Sequence, residues 1–401
     1  MQPRHRMALV AAACIGFGLA LSPRAAQAKG AEAPVTVPMQ LELNRPYIDV
    51  TPTGPDGQRV TAHAYVDTGG GALIFSAGLA KKLGLKANGE ALHEDGQTLI
   101  PTATPALDIG GKRIELVDAH ALIDASEPHT LGRTDAEVAL PGRFLRHYIV
   151  VFDYPARTFT LADPASYEPD GTAVETTLGG GMPVVHASVA GKSYGFLLDT
   201  GGQYCMISDA ELGPWRKQHP DWPHVEGTYG AANMQMGRLE TKLSMLRIAS
   251  LQWGPFRVEN AGAVSRPLGP YEKMMSEIVG TPVIGSIGGN VLRHFKVTMD
   301  YPAQTVYLDG PETVRDASID MVGIMLEPAA HGGYEVARTI SDVKDIRAGD
   351  ELLEVDGHDV MQAPFAKVAG LLGGLPGTSR TLLLQRGGKR LTVHATVQSV
   401  F

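Results

Sequence analysis

Cysteine is nearly absent from this 401-residue chain, which holds two, Cys14 and Cys205. Cys14 falls in an apolar N-terminal run. A chain cut behind that run keeps Cys205 alone and has no intrachain disulfide to hold it. The segment Tyr204-Cys205-Met206-Ile207 is apolar and offers no base, so Cys205 reads as a small core residue rather than a nucleophile. Basic stripes with interleaved aromatics are missing and the net charge is -8, which argues against nucleic acid as a partner. Long apolar runs are missing too. Met7–Leu21 spans about 15 residues, short of the roughly 20 that cross a bilayer, and nothing later resembles a span. His147 and His294 occupy matching places, but no carboxylate or cysteine spacing completes a metal site around them, and no serine has the form of a nucleophile elbow.

What is present begins with a leader. Arg4 and Arg6 precede the apolar run, and Ala26-Gln27-Ala28 has the small-x-small form of a cleavage site. Residues 1–28 are therefore expected to be a signal peptide cut after Ala28, leaving a periplasmic or secreted chain with no membrane span. Hydrophobic residues at 44% and charged residues at 19% suit a folded protein of two or three domains. The 47 glycines and 27 prolines predict many turns and short strands, hence an all-β body.

Two matched motifs organise that body. Ala64-Tyr65-Val66-Asp67-Thr68-Gly69-Gly70 and Phe196-Leu197-Leu198-Asp199-Thr200-Gly201-Gly202 each run an apolar strand into Asp-Thr-Gly, 132 residues apart (199 − 67). Leu145-Arg146-His147-Tyr148 and Asp153-Tyr154-Pro155-Ala156 recur as Leu292-Arg293-His294-Phe295 and Asp300-Tyr301-Pro302-Ala303, 147 residues on (292 − 145). The chain thus contains a duplication, residues 35–168 and then 172–312. The mismatch of about 15 residues is expected within Gly213 to Glu226, a stretch rich in Pro, Trp and His. In the first copy, strands are expected at Gln58 to Val66, Leu99 to Ile109 and Arg113 to Ile123, with a Gly110-Gly111 turn and a partly helical Ile74 to Leu85. Duplicated halves favour a pseudo-two-fold assembly in which equivalent residues meet on the axis. Two carboxylates meeting there would hold one proton between them and titrate as a pair.

These residues resemble the retropepsin-like aspartic proteases of the pepsin clan. Two further segments have that family's apolar-Gly-x-x-Leu pattern, Leu140-Pro141-Gly142-Arg143-Phe144-Leu145 and Ile287-Gly288-Gly289-Asn290-Val291-Leu292. The resemblance covers both copies and implies duplicated acid-protease lobes in a single chain. It assigns Asp67 and Asp199 as the catalytic pair, Thr68 and Thr200 as the residues that lock the two loops, and Gly69 and Gly201 as the turns beneath the carboxylates. Gly96, Tyr229 and Gly230 are the candidates for flap tips. The implied activity is hydrolysis of a polypeptide through a water activated by the Asp dyad, with no metal or cofactor. The alternative is a non-catalytic peptide- or protein-binding module on the same scaffold. One departure stands out: Gly70 and Gly202 occupy positions where many relatives carry Ala, Ser or Thr. Loss of a hydroxyl donor there is expected to raise the carboxylate pKa.

The character changes after residue 312. Thr313 to Val322 reads as a linker, and residues 323–401 resemble a bacterial-type PDZ domain, a small α+β unit, through Ile346-Arg347-Ala348-Gly349-Asp350-Glu351-Leu352-Leu353-Glu354-Val355-Asp356-Gly357. Leu371 to Gly377 is expected as its helix and turn. The resemblance implies capture of a C-terminal peptide by strand addition. Gly332, Gly333 and Tyr334 are the candidate binding loop and Glu335 to Ile340 the receiving strand.

Overall fold

The computed structural model describes residues 32–94, 97–126, 136–227, 234–235, 238–239, 243–266, 270–340 and 343–399. The fold is all-β: two sheet-built lobes, a six-stranded sheet shared between them, and a C-terminal sheet with one helix.

The shared sheet shows the duplication most directly. Its order is Val35–Pro38, Thr158–Ala162, Ile149–Asp153, Lys296–Asp300, Thr305–Asp309, Thr172–Val174, so each lobe contributes three strands in mirrored sequence. The two central strands pair antiparallel, with Val151 opposite Thr298. These residues are 147 apart, the repeat offset itself, so the pseudo-two-fold axis passes between them. Phe152, Phe159, Val297 and Leu308 alternate inward from these strands and are buried in a core that runs through both lobes. Each such side chain contributes about 1.5–3 kcal/mol by leaving water.

Within each lobe the same strand sequence recurs. Ala62–Asp67 buries Ala62, Ala64 and Val66 on one face, the period-two pattern of a half-buried strand. Leu73–Ser76 leads into helix Ala77–Lys82, capped by Ser76, whose Oγ accepts from Leu79 N–H at 3.1 Å. In the second lobe Cys205–Ser208 leads into helix Asp209–Gln218, capped by Ser208. Two long strands expected in the first copy are each broken. Gln97–Thr102 and Ala106–Ile109 flank Pro105, which cannot donate to a ladder. Lys112–Ile114 and Ala121–Asp124 are likewise separate strands.

The extra residues of the second copy do not enter at one place. The copies are offset by 132 residues at Leu73/Cys205, by 142 at Ala121/Ala263 and by 147 at Val138/Gly285. Ten therefore enter between the first and second of these strands, where the helix is also longer, and five between the second and third, where helix Pro270–Val279 lies. The expectation of one insertion at Gly213 to Glu226 is corrected accordingly. A helix has no strand period to betray its added turns.

The segment read as a linker is bonded to both neighbours. Thr313–Arg315 adds in parallel to the second-lobe strand at Arg257 to Glu259, and Asp320–Met321 pairs with Gln398–Ser399. Asp320 also carries a buried ion pair with Arg247 of the second lobe at 2.7 Å. Met321 and Met325 pack with Leu243, Met245 and Tyr204 in a small core that joins the C-terminal unit to the second lobe.

The C-terminal sheet runs Ile324–Pro328, Tyr334–Thr339, Glu351–Val355, Ser379–Arg386, Lys389–Thr396, with helix Phe365–Leu372 packed on it. That helix starts six residues before the expected one. Asp350 of the Gly-Asp motif is buried and held by Arg386 through two bonds, 2.6 and 2.7 Å. Gly332 and Gly333, at φ +95° and +73°, form the turn between the first two strands. Tyr334 is paired on both sides, to Pro328 and to Leu352. The reading of Gly332, Gly333 and Tyr334 as the loop before a receiving strand is therefore corrected. The strand that follows is interior, bonded to Ile324–Pro328 on one edge and to Glu351 and Leu352 on the other, and its backbone groups there are already used. Among the described residues the edge strands of this sheet are Ile324–Pro328 and Lys389–Thr396.

Candidate active site

Each Asp-Thr-Gly stands where a central strand ends. Ala62–Asp67 delivers Asp67, and Lys192–Leu198 runs up to Asp199. Parallel neighbours set their height: Pro141 lies opposite Asp67, Ile287 opposite Leu198, and the Asp199 N–H donates to the Ile287 carbonyl at 3.0 Å. The two apolar-Gly-x-x-Leu segments turn behind the loops as short helical elements, Gly142–Leu145 and Gly289–Leu292. A Cβ on Gly142 would lie 2.6 Å from the Tyr301 hydroxyl and 2.9 Å from Thr68 Cγ2, so the turn passes there only as glycine.

Thr68 and Thr200 are fully buried and bonded across the axis. The Thr68 N–H donates to Thr200 Oγ1 at 3.1 Å, and the Thr200 N–H to Thr68 Oγ1 at 3.0 Å. Each hydroxyl then donates to the opposite strand, Thr68 to the Leu198 carbonyl and Thr200 to the Val66 carbonyl, both at 2.5 Å. A hydroxyl is needed because it accepts and donates at once. The four bonds fix the spacing of the two loops and, with it, of the two carboxyls.

The motif glycines serve close approach rather than an unusual backbone. A Cβ on Gly69 would stand 2.9 Å from Asp199 Cγ, and Gly201 lies in the same way against Asp67. Each lobe's third motif residue is thus a floor for the other lobe's carboxyl. Gly70 and Gly202 lie against their own aspartates: a Cβ would come within 2.6 Å of Asp67 Oδ2 and 3.0 Å of Asp199 Oδ2. Backbone donors reach the carboxyls from the same turns, Gly69 N–H to Asp67 Oδ1 and Gly202 N–H to Asp199 Oδ1, both at 3.0 Å.

Asp67 and Asp199 thus face each other across the axis, each carboxyl set against the other lobe's glycine. Burial, first, pushes both carboxyls above the ordinary range, and the charge of Asp199 adds to this for Asp67. Two carboxyls so close in a low-dielectric site cannot both ionise freely, so the pair holds one proton between them and titrates as a unit. One cation opposes the rise. Arg45, at the start of strand Arg45–Thr53, holds both carboxyls lower and donates from Nε to the Gly201 carbonyl at 2.6 Å.

Three residues near the pair escaped the sequence reading. Arg45 occurs in one copy only, so no repeat flagged it. Tyr154 and Tyr301 lie in the repeated Asp-Tyr-Pro-Ala, which marks the duplication but by itself gives the tyrosines no role. Asp153 and Asp300 close the turns of these segments, accepting from the Ala156 and Ala303 N–H groups at 2.9 Å. The tyrosines are buried behind the dyad. Burial and then the Asp199 charge push the Tyr154 phenol up, and burial and Asp67 do the same to Tyr301. Each tyrosine senses the carboxyl of the other lobe.

Gly96, Tyr229 and Gly230 lie outside the described residues, as does the expected leader. Strands Leu92–Glu94 and Gln97–Thr102 pair as far as Glu94 opposite Gln97. Cys205 is buried, its N–H donating to Asn290 Oδ1 at 2.9 Å, and burial pushes its thiol up to about 12, which leaves it inert. Among the described residues no group of three or more His, Cys, Asp or Glu is placed to hold a metal ion.

No protein-family model and no curated protein matches the chain. Among solved structures, the aspartic proteinase from Irpex lacteus is similar to it at 12% identity, over 69% of this chain and 97% of that one, with a TM-score of 0.41. The photosystem II D1 C-terminal processing protease is similar at 24% identity, over 21% of this chain and 24% of that one, with a TM-score of 0.20, so the match spans about a quarter of that protein.

Proposed function

We propose that this chain is an exported aspartic endopeptidase, periplasmic or secreted, that hydrolyses polypeptides through a water activated by Asp67 and Asp199. The observation that carries the reading is the approach of two carboxyls, each set against the other lobe's motif glycine, delivered by equivalent strands and locked at fixed spacing by Thr68 and Thr200. A buried pair holding one proton has a base and an acid within reach of one water.

Asp199, ionised, takes a proton from the water as its oxygen attacks the scissile carbonyl carbon. Asp67, protonated, gives its proton to the carbonyl oxygen, and a gem-diol forms. Collapse of the gem-diol returns a proton to Asp67 and breaks the C–N bond while Asp199 gives its proton to the leaving nitrogen. Protons balance over the cycle and no covalent intermediate forms. The C-terminal unit serves recognition of the polypeptide, held to the second lobe by the Arg247–Asp320 pair.

The deciding experiment assays the mature chain, Asp67→Asn and Asp199→Asn on unfolded proteins and peptide libraries from about pH 3 to about pH 8, with a loss of about a thousandfold expected for either variant. Equal cleavage by parent and variants overturns the dyad. Peptide binding without any cleavage by the parent favours the non-catalytic module instead.

A further inference from the structure

A cleft of about 750 Å³ opens between the body and helix Phe365–Leu372. One wall is the hairpin tip joining Gln40–Glu42 to Arg45–Thr53, with Gln203 and Arg293 beside it. The other is the row Ala366, Lys367 and Gly370 on the helix. No residue of Ile324–Pro328 or Lys389–Thr396, the two edge strands of the C-terminal sheet, lines it.

The walls carry unmatched positive charge. Arg157, Arg293 and Lys367 are exposed in the cleft, and among the described residues none of the three makes an ion pair. Arg293 is held by a neutral partner, donating to Asn44 Oδ1 at 3.0 Å. Burial and then the charge of Arg293 weaken the proton affinity of Arg157, so the two guanidinium groups repel across the gap. The acids of the lining do not cancel this. Asp320 is already bonded to Arg247 and Arg315, which leaves Glu42 against the three cations. In a protein of net charge -8 this is a local reversal of sign.

The walls also offer what a peptide backbone and side chain require. Gln203 is 8% exposed, and its Oε1 has no hydrogen-bond partner. Leu375, at the rim, is 74% exposed, and Leu43 of the hairpin tip packs on the C-terminal core. Tyr204 is the one Phe, Tyr or Trp of the lining and is itself buried, so nucleic-acid bases find no large exposed ring to stack on.

We propose that this cleft binds an extended acidic peptide segment, whose carboxylates pair with Arg157, Arg293 and Lys367, whose backbone N–H donates to Gln203 Oε1, and whose apolar side chain covers Leu375. The inference rests on the reading of the C-terminal unit as a recognition element and names its site and ligand chemistry. It does not depend on the dyad.

The test uses the full chain carrying both Asp67→Asn and Asp199→Asn, which removes cleavage from the readout. The probe is a fluorescein-labelled dodecapeptide alternating Glu with Leu and Val, followed by fluorescence polarisation. Saturable binding is expected, weakening as sodium chloride rises from about 50 to about 300 mM. Arg157→Glu, on one wall, and Lys367→Glu, on the other, are each expected to weaken it about tenfold, as is a Gln-for-Glu probe, while Arg157→Lys binds as the parent does. Two exposed positions on separate elements guard against a single folding failure, and thermal unfolding checks each variant. Absence of saturable binding overturns the proposal. So does binding untouched by both charge reversals, which would move the site to an edge strand of the C-terminal sheet, or an oligonucleotide that outcompetes the peptide. Cleavage assays on the unmodified dyad fail or succeed independently of these results.

Discussion

Arg45 donates from Nε to the Gly201 carbonyl at 2.6 Å, so a guanidinium of the first lobe stands beside the second lobe's motif. It stabilises the ionised form of both carboxyls. Arg45→Gln is expected to shift the pH profile of kcat/KM upward by about half to one unit, because removing a nearby cation raises both carboxyls. Arg45→Lys keeps the charge and loses the fixed fork, so its profile should stay near the parent's while kcat/KM falls. A profile unmoved by Arg45→Gln would reduce the residue to a tie for the loop.

The raised carboxyl also makes a stability prediction with a definite sign. Asp67 holds its proton more tightly folded than unfolded, so its contribution is complete below the ordinary carboxylate range and is lost as pH rises above it. Asp67→Asn should therefore match the parent in Tm at about pH 3.5 and exceed it increasingly toward neutrality. Thermal scans across that range would show it. A constant difference would mean that the carboxyl is not strained by burial.

Thr68→Val keeps the shape and removes one hydroxyl that accepts from the Thr200 N–H and donates to the Leu198 carbonyl. Both groups are left buried and unpaired, for an expected loss of roughly 2–4 kcal/mol. Thr200→Val should cost a similar amount, and the double variant less than the sum, because the four bonds form one network. Denaturant unfolding of the three variants gives the comparison. Strict additivity would sink the network.

Arg247 and Asp320 bridge the second lobe and the C-terminal unit with side chains that are 2% and 0% exposed. Removing one partner strands the other charge, so Asp320→Ala should cost about 3–5 kcal/mol, and replacing both with apolar residues should cost less. The loss should fall at the junction: limited proteolysis is expected to cut near residues 313–322 in the single variant and to spare the parent. An uncut junction would show that the apolar contacts of Met321 and Met325 hold it without the ion pair.

Much of the architecture was written in local patterns. The repeated Leu-Arg-His and Asp-Tyr-Pro-Ala announced two copies, and their 147-residue offset is the pairing distance of Val151 and Thr298 on the axis. Gly110-Gly111 marked a hairpin, with Ile109 opposite Lys112. A repeat or a turn is legible because its cause lies within a few residues of chain. The matched Asp-Thr-Gly tripeptides likewise named the two aspartates that the fold brings together.

Sheet order and long-range approach decided the rest. Arg45 reaches Gly201 from 156 positions away. Tyr154 lies behind Asp199 because the shared sheet folds one lobe's turn under the other lobe's carboxyl. Which strand of the C-terminal sheet keeps a free edge depends on the neighbours it acquires, not on its residues, and the candidate loop Gly332-Gly333-Tyr334 was misplaced for that reason. The sequence by itself determined which residues could turn, pair and carry charge. Only the tertiary structure determined which of them share a buried, low-dielectric space, where a proton is held between two carboxyls and unpaired cations line a cleft.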